Sequence, residues 1–595
     1  MLSFWKKRIL NIFLYAYLFL NASGYAADFS FTDNTTVPTA DSSGDRYIFN
    51  GDNLTLTVPD GVTLGSTATQ AIINANTNSP VNPIVVVESG AVVTSSTNTI
   101  QGKASENLII TNSGTISTNT TRAINLLNAQ TATITNNSGG IISSNTGNTI
   151  NGDETGTTDG NTISNSGTIF STDGIAIRFI SGTTSTNITN NSGGIIYNDS
   201  TEDVVRLGGS STLINSGTIQ NKNSPSNDSI DMIDSNNTVT LKNGGKVIGI
   251  IRSTGSNNTL QLNHGVGQSY FYETAGNDMT LTDLDGNQVV QGSASSVGQG
   301  GTETIDEILG YKSINIRNFI NNYKNTQKSN SVIENGWGQT FGSFLKRKSN
   351  KSNLALGYEY KNIGVNLIFP DTDRNYLLSF EAGRINFDKD HELDRLSFLY
   401  GIHTDQNNNN SKFYNEYFVI GGITLNNSRR TILTNTTTTG KQNINDSYES
   451  YEILSGLRMN NPHYIPNLGL TLNYSLTPNH DESNYFSWDL RQLTNLSFSL
   501  SDNFKIRKDN SLFKLGWIID SRALIFGNEQ DYSINGKNVT YKQDNDLTHE
   551  VSFVANAGYT KYLNNNSSFN FSIDGKLTTQ NTSSLSGFLG YDFSF

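Results

Sequence analysis

"ITNSG", Ile110-Thr111-Asn112-Ser113-Gly114, decides how the first half of the chain is read, because it returns. Thr135-Asn136-Asn137-Ser138-Gly139, Ser164-Asn165-Ser166-Gly167, Asn190-Asn191-Ser192-Gly193 and Ile214-Asn215-Ser216-Gly217 repeat it, and Lys242-Asn243-Gly244-Gly245 is a degenerate sixth copy. Aligned on Asn112, Asn137, Asn165, Asn191, Asn215 and Asn243, the copies lie 24 to 28 residues apart. A period of that size signals a solenoid, a propeller or an array. Isoleucines flank the turns: Ile110 and Ile116, Ile134 and Ile142, Ile163 and Ile169. Fainter copies at 58–62 and 87–91 bring the total to roughly eight coils.

In a β-solenoid, equivalent residues of successive coils stack about 4.8 Å apart. Isoleucines in line then form a dry interior. The six turn asparagines are expected to hydrogen-bond from coil to coil as a ladder. The glycine that follows them supplies the freedom a sharp corner needs. A disordered Asn/Thr/Ser tract would lack the regular isoleucines. The expectation is an all-β chain whose residues 27–300 form a right-handed parallel β-helix, a rod about 40 Å long.

The N-terminus reads as an export signal. Lys6, Lys7 and Arg8 precede an apolar run from Ile9 to Leu20, and Gly24-Tyr25-Ala26 puts small residues before a cleavage point ahead of Ala27. The run is short for an anchor helix. Residues 1–26 are therefore expected to be removed. No other stretch is apolar and long enough for a spanning helix, so any membrane crossing must use strands.

Composition agrees. The 595 residues include no cysteine, so no disulfide framework holds the exported fold. Residues 27–300 carry 22 acidic and 9 basic residues, the opposite of a nucleic-acid footprint.

After Gly301 the turn motif stops. Thr304 to Lys324 has helical spacing, with Ile305, Ile308, Lys312, Ile316, Phe319 and Tyr323 on one stripe. From Trp337 onward the period becomes two. Leu468, Leu470, Leu472, Tyr474 and Leu476 share one face; Gly469, Thr471, Asn473 and Ser475 share the other. Leu354/Leu356/Tyr358/Tyr360, Tyr376/Leu378/Phe380/Ala382 and Val551/Phe553/Ala555/Ala557 alternate alike. About twelve such segments, with apolar residues toward lipid and polar ones toward a lumen, mark an antiparallel transmembrane β-barrel. A soluble β-sandwich also alternates, but the export signal and the C-terminus favour the barrel. That C-terminus is Gly590-Tyr591-Asp592-Phe593-Ser594-Phe595: Tyr591, Phe593 and Phe595 point one way and Gly590 the other.

Gram-negative outer-membrane proteins end in this pattern, and Phe588 is its one departure. An export signal, a β-helical segment, a short helix and a barrel of twelve strands ending in Phe, with Trp337-Gly338-Gln339 at the first strand, resemble the type Va autotransporters. The resemblance implies four segments: a signal peptide 1–26, a solenoid passenger 27–300, a linker 301–331 with a helix threading the lumen, and a barrel 332–595. It implies partners: the outer-membrane bilayer, the general secretion and barrel-assembly machineries, and an unidentified surface ligand on a host, a neighbouring cell or a glycan. Gly590, Tyr591, Phe593 and Phe595 become the assembly signal. The passenger is expected on the surface of a Gram-negative cell, or released. Some members of the family release it by cyclisation of an Asn in the lumen, which makes Asn321-Asn322 a candidate for cleavage.

Catalytic chemistry is sparse. His264 is the only histidine before the barrel; no nucleophile elbow, cysteine nucleophile or metal-ligand spacing is present. Asp283-Leu284-Asp285-Gly286-Asn287 lacks the distal glutamate of a calcium loop and reads as a hairpin turn. Asp228, Asp231 and Asp234, with Lys222, Lys242 and Arg252 in neighbouring coils, would support a polysaccharide lyase only if they converged on one face. The expectation is no enzyme and no cofactor: an adhesin-like rod on an export device, with a surface carbohydrate-active enzyme as the alternative, and a plain porin-like barrel disfavoured by the coils.

Overall fold

The computed structural model describes residues 28–38, 46–66, 73–74, 79–102, 105–127, 129, 131–152, 160–180, 185–291, 294–296, 301–326, 336–372, 374–406, 414–460, 466–482, 486–534, 536–563 and 567–593. The cleavage residues Gly24, Ala26 and Ala27 lie outside them, as do Phe595 and the side chain of Phe593.

Residues 28–283 form a parallel solenoid of three sheets, two of eleven strands and one of eight. Eight coils carry all three strands; the first level and the last two lack the third. The strands are short because every coil turns three corners. Their inward residues align without slippage, as in Ile110↔Ile134↔Ile163↔Ile188↔Leu213, and all five are fully buried. At about 1.5–3 kcal/mol per buried aliphatic side chain, this continuous core offsets the ordering of a polar chain.

The turns between the second and third sheets come in two lengths. Asn112-Ser113-Gly114 is tight; Asn136-Asn137-Ser138-Gly139-Gly140 holds two more residues. In the long turns the glycine is left-handed, with φ 83° at Gly139 and 85° at Gly193. In the tight turns glycine is required by proximity instead: a Cβ on Gly167 would lie 2.2 Å from the Gly140 carbonyl oxygen of the coil below.

Helix α1, Thr302–Thr326, follows. Twelve antiparallel strands come next: β1 (Gly336–Arg347), β2 (Tyr358–Pro370), β3 (Asn375–Phe387), β4 (His391–Gln406), β5 (Tyr414–Thr434), β6 (Lys441–Asn460), β7 (Asn467–Thr477), β8 (Arg491–Lys508), β9 (Ser511–Phe526), β10 (His549–Tyr562), β11 (Ser568–Thr578) and β12 (Thr582–Phe593). Each pairs with its sequence neighbour, and β1 pairs with β12 from Gly336↔Phe593 to Arg347↔Thr582, so the barrel is closed and has no free edge. One end carries short turns. The other carries longer loops, two of which (478–490 and 527–548) build a four-stranded sheet from His480–Glu482, Phe486–Trp488, Glu529–Ile534 and Lys537–Lys542. No helix among the described residues is long and apolar enough to cross a membrane, which says nothing of the strands.

The alternation is borne out in β7: Leu470 and Leu472 are exposed on the outer wall, while Thr471, Asn473 and Ser475 are buried inside. It is reversed at β2. Leu356, Tyr358 and Tyr360 face inward and Glu359 and Lys361 outward, because Tyr358 packs beneath the Arg347 guanidinium, 4.9 Å away, and Tyr360 donates to Glu381. Leu354 belongs to the preceding turn.

Candidate functional site

Helix α1 lies in the barrel lumen. Its first turn meets the loop end, where Arg347 at the top of β1 grips Glu303 (2.7 Å) and Glu307 (3.0 Å). Its last turn reaches the turn end, where Lys324 contacts Asp405 (2.6 Å) and Glu416 (3.0 Å) and Tyr562 donates to the Asn325 carbonyl (2.7 Å). Between them Lys312 donates to Glu452 (2.7 Å), Arg522 pairs with Asp306, and Arg317 with Asp520 (3.4 Å). Of the stripe read in the sequence, Ile316, Phe319 and Tyr323 meet Trp337, Ile368, Leu377 and Leu399 of the wall, Ile308 packs with Tyr358, Ile385 and Leu393, and Lys312 belongs to the polar contacts. The polar face is buried as well: Glu303, Asp306, Glu307 and Lys312 are at most 3% exposed. Burying one partner of such a pair alone would cost several kcal/mol, so the pairs fix one seating of the helix.

Asn321 and Asn322 are part of this seating. Arg458 donates to the Asn321 side-chain oxygen, and the Asn322 amide donates to Ser572 (3.0 Å). Asp574 is taken by Asn318. At the turn end, ligand atoms of His403, Asp405 and Glu416 lie within 4.8 Å of one another. The Lys324 ammonium already occupies the place between the two carboxylates that a cation would take. Nothing in the sequence reading singled out this trio. Its only trace there is the isolated charge at inward positions of β4 and β5.

The solenoid sits on the loop end. Its Tyr270–Tyr272 strand pairs in parallel with the top of β5, Tyr270↔Leu433 and Phe271↔Thr434. Asn435, in the turn above, donates to the carbonyls of Gly249 (2.8 Å) and Glu273 (2.9 Å) and accepts from the Glu273 N–H (2.8 Å). Phe271 and Val290 pack on Phe486, Tyr532, Ile534 and Tyr541 of the loop sheet. His264 is buried here, bonded to Tyr272 (3.0 Å); burial first and the nearby Lys389 next push its pKa down to about 4. Asp283 caps its own loop, accepting from the N–H groups of Asp285 (2.8 Å) and Asn287 (3.3 Å), and Lys351 neutralises Asp285 (2.9 Å). The expected hairpin is replaced by a loop that leaves a parallel strand, Thr280–Asp283.

The asparagine ladder exists with a different membership. Asn112 donates to Asn136 (2.8 Å), Asn136 to Asn165 (2.8 Å), Asn165 to Asn190 (2.9 Å) and Asn190 to Asn215 (2.9 Å). Asn137 and Asn191 stand one place further on, in the long turns, and bond to serine hydroxyls of the neighbouring coil. Asn243 is an exposed turn residue, and Leu241 takes the ladder position beside Asn215.

The acids of the eighth and ninth coils divide. Asp231 lies on the outer face of the first sheet with Arg206 and Arg252 as its rank neighbours, and Asp228, across from Ile250, begins the same strand. Arg252 grips Asp228 (2.6 Å), Arg206 grips Asp203 (2.6 Å) and Thr254 donates to Asp231 (3.2 Å). Burial, and then the charge of Asp203, push Asp231 up to about 6. Asp234 is not in this rank, Lys222 caps the Tyr197 ring on the third sheet at 3.1 Å, and Lys242 is exposed at a corner.

No protein-family model matches the sequence, and no curated protein does. Several solved structures resemble the fold. The translocator domain of the autotransporter NalP from Neisseria meningitidis is 11% identical with a TM-score of 0.37, covering 49% of this chain and 98% of that one. The β domain of the Bordetella autotransporter BrkA is 11% identical (TM-score 0.31; 44% and 99% covered). The transport unit of AIDA-I from Escherichia coli is 10% identical (TM-score 0.30; 45% and 93% covered). The closed register and threaded helix are read from this chain's own strands. They define a helix-plugged twelve-stranded β-barrel carrying a β-solenoid, the architecture expected from the sequence.

Proposed function

We propose that the barrel inserts in the outer membrane of a Gram-negative cell, exports the solenoid and anchors it at the surface, where the solenoid acts as an adhesin-like binding rod. The observation that carries this reading is the path of the chain. The solenoid ends at the loop end, α1 passes down the lumen, and β1 begins at the turn end. A solenoid at that end of a barrel with short inner turns lies outside the cell. The reading of the rod as a binder rests on its repeated faces and on Asp203 and Asp228 of its charged face being held by Arg206 and Arg252. Such acids are committed to neighbours rather than free for calcium or proton abstraction.

Protease treatment of intact cells tests the export. Fragments from residues 28–283 should be released while the barrel strands stay protected. Solenoid peptides that appear only after cell lysis would refute surface display.

A further inference from the structure

The three faces of the solenoid differ in chemistry. Outward positions of the first sheet carry Arg178, Arg206, Asp231 and Arg252. Those of the third carry Phe170, Tyr197 and Lys246, with the two rings stacked at 4.8 Å. The second sheet presents two parallel ranks dominated by threonine. One rank holds Thr133, Thr162, Thr212, Thr238, Thr259 and Thr280, broken by Asn187. The other holds Thr111, Thr135, Ser164 and Thr189, then Ile214 and Thr240, and ends with Thr282 after Gln261. Among the described residues neither rank has a charged side chain between Thr55 and Thr282.

Threonine suits any strand, so its presence alone decides nothing. Its pairing does: the third sheet has one mixed rank with Thr115, Thr168 and Thr218, and only the second sheet carries threonine at most levels of two adjacent ranks. Both ranks are neutral while the solenoid as a whole is acidic, and Lys242 stands exposed beyond them at the corner end of the same sheet. Exposed sheet faces ordinarily carry charge. The pairing register is unbroken, so the hydroxyls repeat about 4.8 Å apart along the axis and about 6.7 Å apart along each strand. Thr240 donates sideways to Gln261 (3.1 Å).

The two ranks, mostly methyls and hydroxyls without charge or aromatic rings, match a neutral partner that is itself a lattice. Soluble glycans are gripped by rings and directional polar groups, which this chain places on its other two faces. Methyls that confine water and hydroxyls that anchor it, on repeats of the same order as the oxygen spacings of ice, select ordered water. From this we infer that the threonine face of the solenoid binds ice. The inference goes beyond surface display, which would only bring the face to the ice.

The test uses the full chain in lipid nanodiscs, partitioned into a slowly growing ice front beside an empty-nanodisc control. The wild type should be enriched in the ice several-fold over the control. Thr135→Lys with Thr238→Lys places two charges on the face, pointing outward, and should bring uptake down to the control. Thr162→Lys is the second variant, and an unchanged solenoid melt certifies both. Tyr197→Ala, on another face, should partition like the wild type. Exclusion of the wild type from ice overturns the inference, as does uptake indifferent to the lysines. Retention on crystalline chitin or cellulose without ice uptake, lost in the same variants, would assign the face to a polysaccharide lattice instead. Because the purified chain is assayed, a failure of export leaves this result untouched.

Discussion

Trp337 lies across Gly590. The first residues of β1 and the last of β12 are paired at the seam, and a Cβ on Gly590 would sit 2.3 Å from Trp337 Cζ2. The indole cannot step aside freely, since it is fully buried and stacks on Phe319 of α1 with ring centroids 5.2 Å apart. Barrel closure and helix seating therefore share one side chain.

Gly590→Ala should destabilise the closed barrel by about 1–3 kcal/mol through overpacking. The readout is the fraction of compact, heat-modifiable band after refolding in detergent across a urea series. Trp337→Phe in the same chain should recover most of the loss. A Gly590→Ala barrel that resists urea like the wild type would show that the seam tolerates a methyl.

In the solenoid, Asn165 accepts from Asn136 and donates to Asn190, and it has no exposed surface. Asn165→Ala strands both partners and should cost about 2–3 kcal/mol. Asn137, a single bond away from Ser113 on the turn (2.9 Å), should tolerate alanine within about 0.5 kcal/mol. Circular dichroism of the full chain in urea would rank the two. Equal losses would count against a ladder based on Asn136.

That one-residue difference shows how far the sequence could be read. Inward isoleucines were legible because stacked coils put equivalent residues in one rank, and a rank repeats in the sequence. The ladder position was misread because Asn-Ser-Gly and Asn-Asn-Ser-Gly-Gly turns alternate. The register is set by the strands, and the surplus residues, Asn137 among them, go into the corner. In the barrel, alternation identified inner and outer faces for β7 but not for β2, where Tyr358 and Tyr360 are polar enough at their tips to line a charged lumen. The pairing of Lys312 with Glu452, 140 residues apart, depends on how far the strands are staggered around the barrel, which no local pattern records.

Asp231 makes the charged face of the solenoid sensitive to pH. Burial raises its folded pKa from 3.8 to about 6, so between those values the folded state holds more protons than the unfolded one. Stability from this group then falls as pH rises through that window, by on the order of 2 kcal/mol, and stays at the lower level above it. Asp203, raised chiefly by burial, acts in the same direction. Urea midpoints of the solenoid transition at pH 4.5 and 7, below and above the folded value of about 6, should differ more for the wild type than for Asp231→Asn. An identical pH dependence in the two chains would remove Asp231 from the account.

Glu452 holds the helix in the lumen from the opposite wall. It has no exposed surface, and it accepts from Lys312 of α1 at 2.7 Å and from Arg395 of β4 at 2.6 Å. Glu452→Gln keeps the shape and removes the charge, leaving two buried cations facing a neutral amide. Breaking one side of a buried pair costs about 3–5 kcal/mol, and the site can relieve it by moving α1, whose backbone is not part of the barrel's strand ladder. Single-channel recording in planar bilayers should therefore show a wild type that is mostly closed and a Glu452→Gln variant with frequent openings. Lys312→Met in the Glu452→Gln background removes one of the stranded cations and should restore part of the closed time. The strands should hold throughout, since their ladder does not pass through Glu452's carboxylate, so the heat-modifiable band should remain. Wild-type conductance in Glu452→Gln would mean that the remaining grips, Arg347 on Glu303 and Lys324 on Glu416, suffice to keep the plug in place.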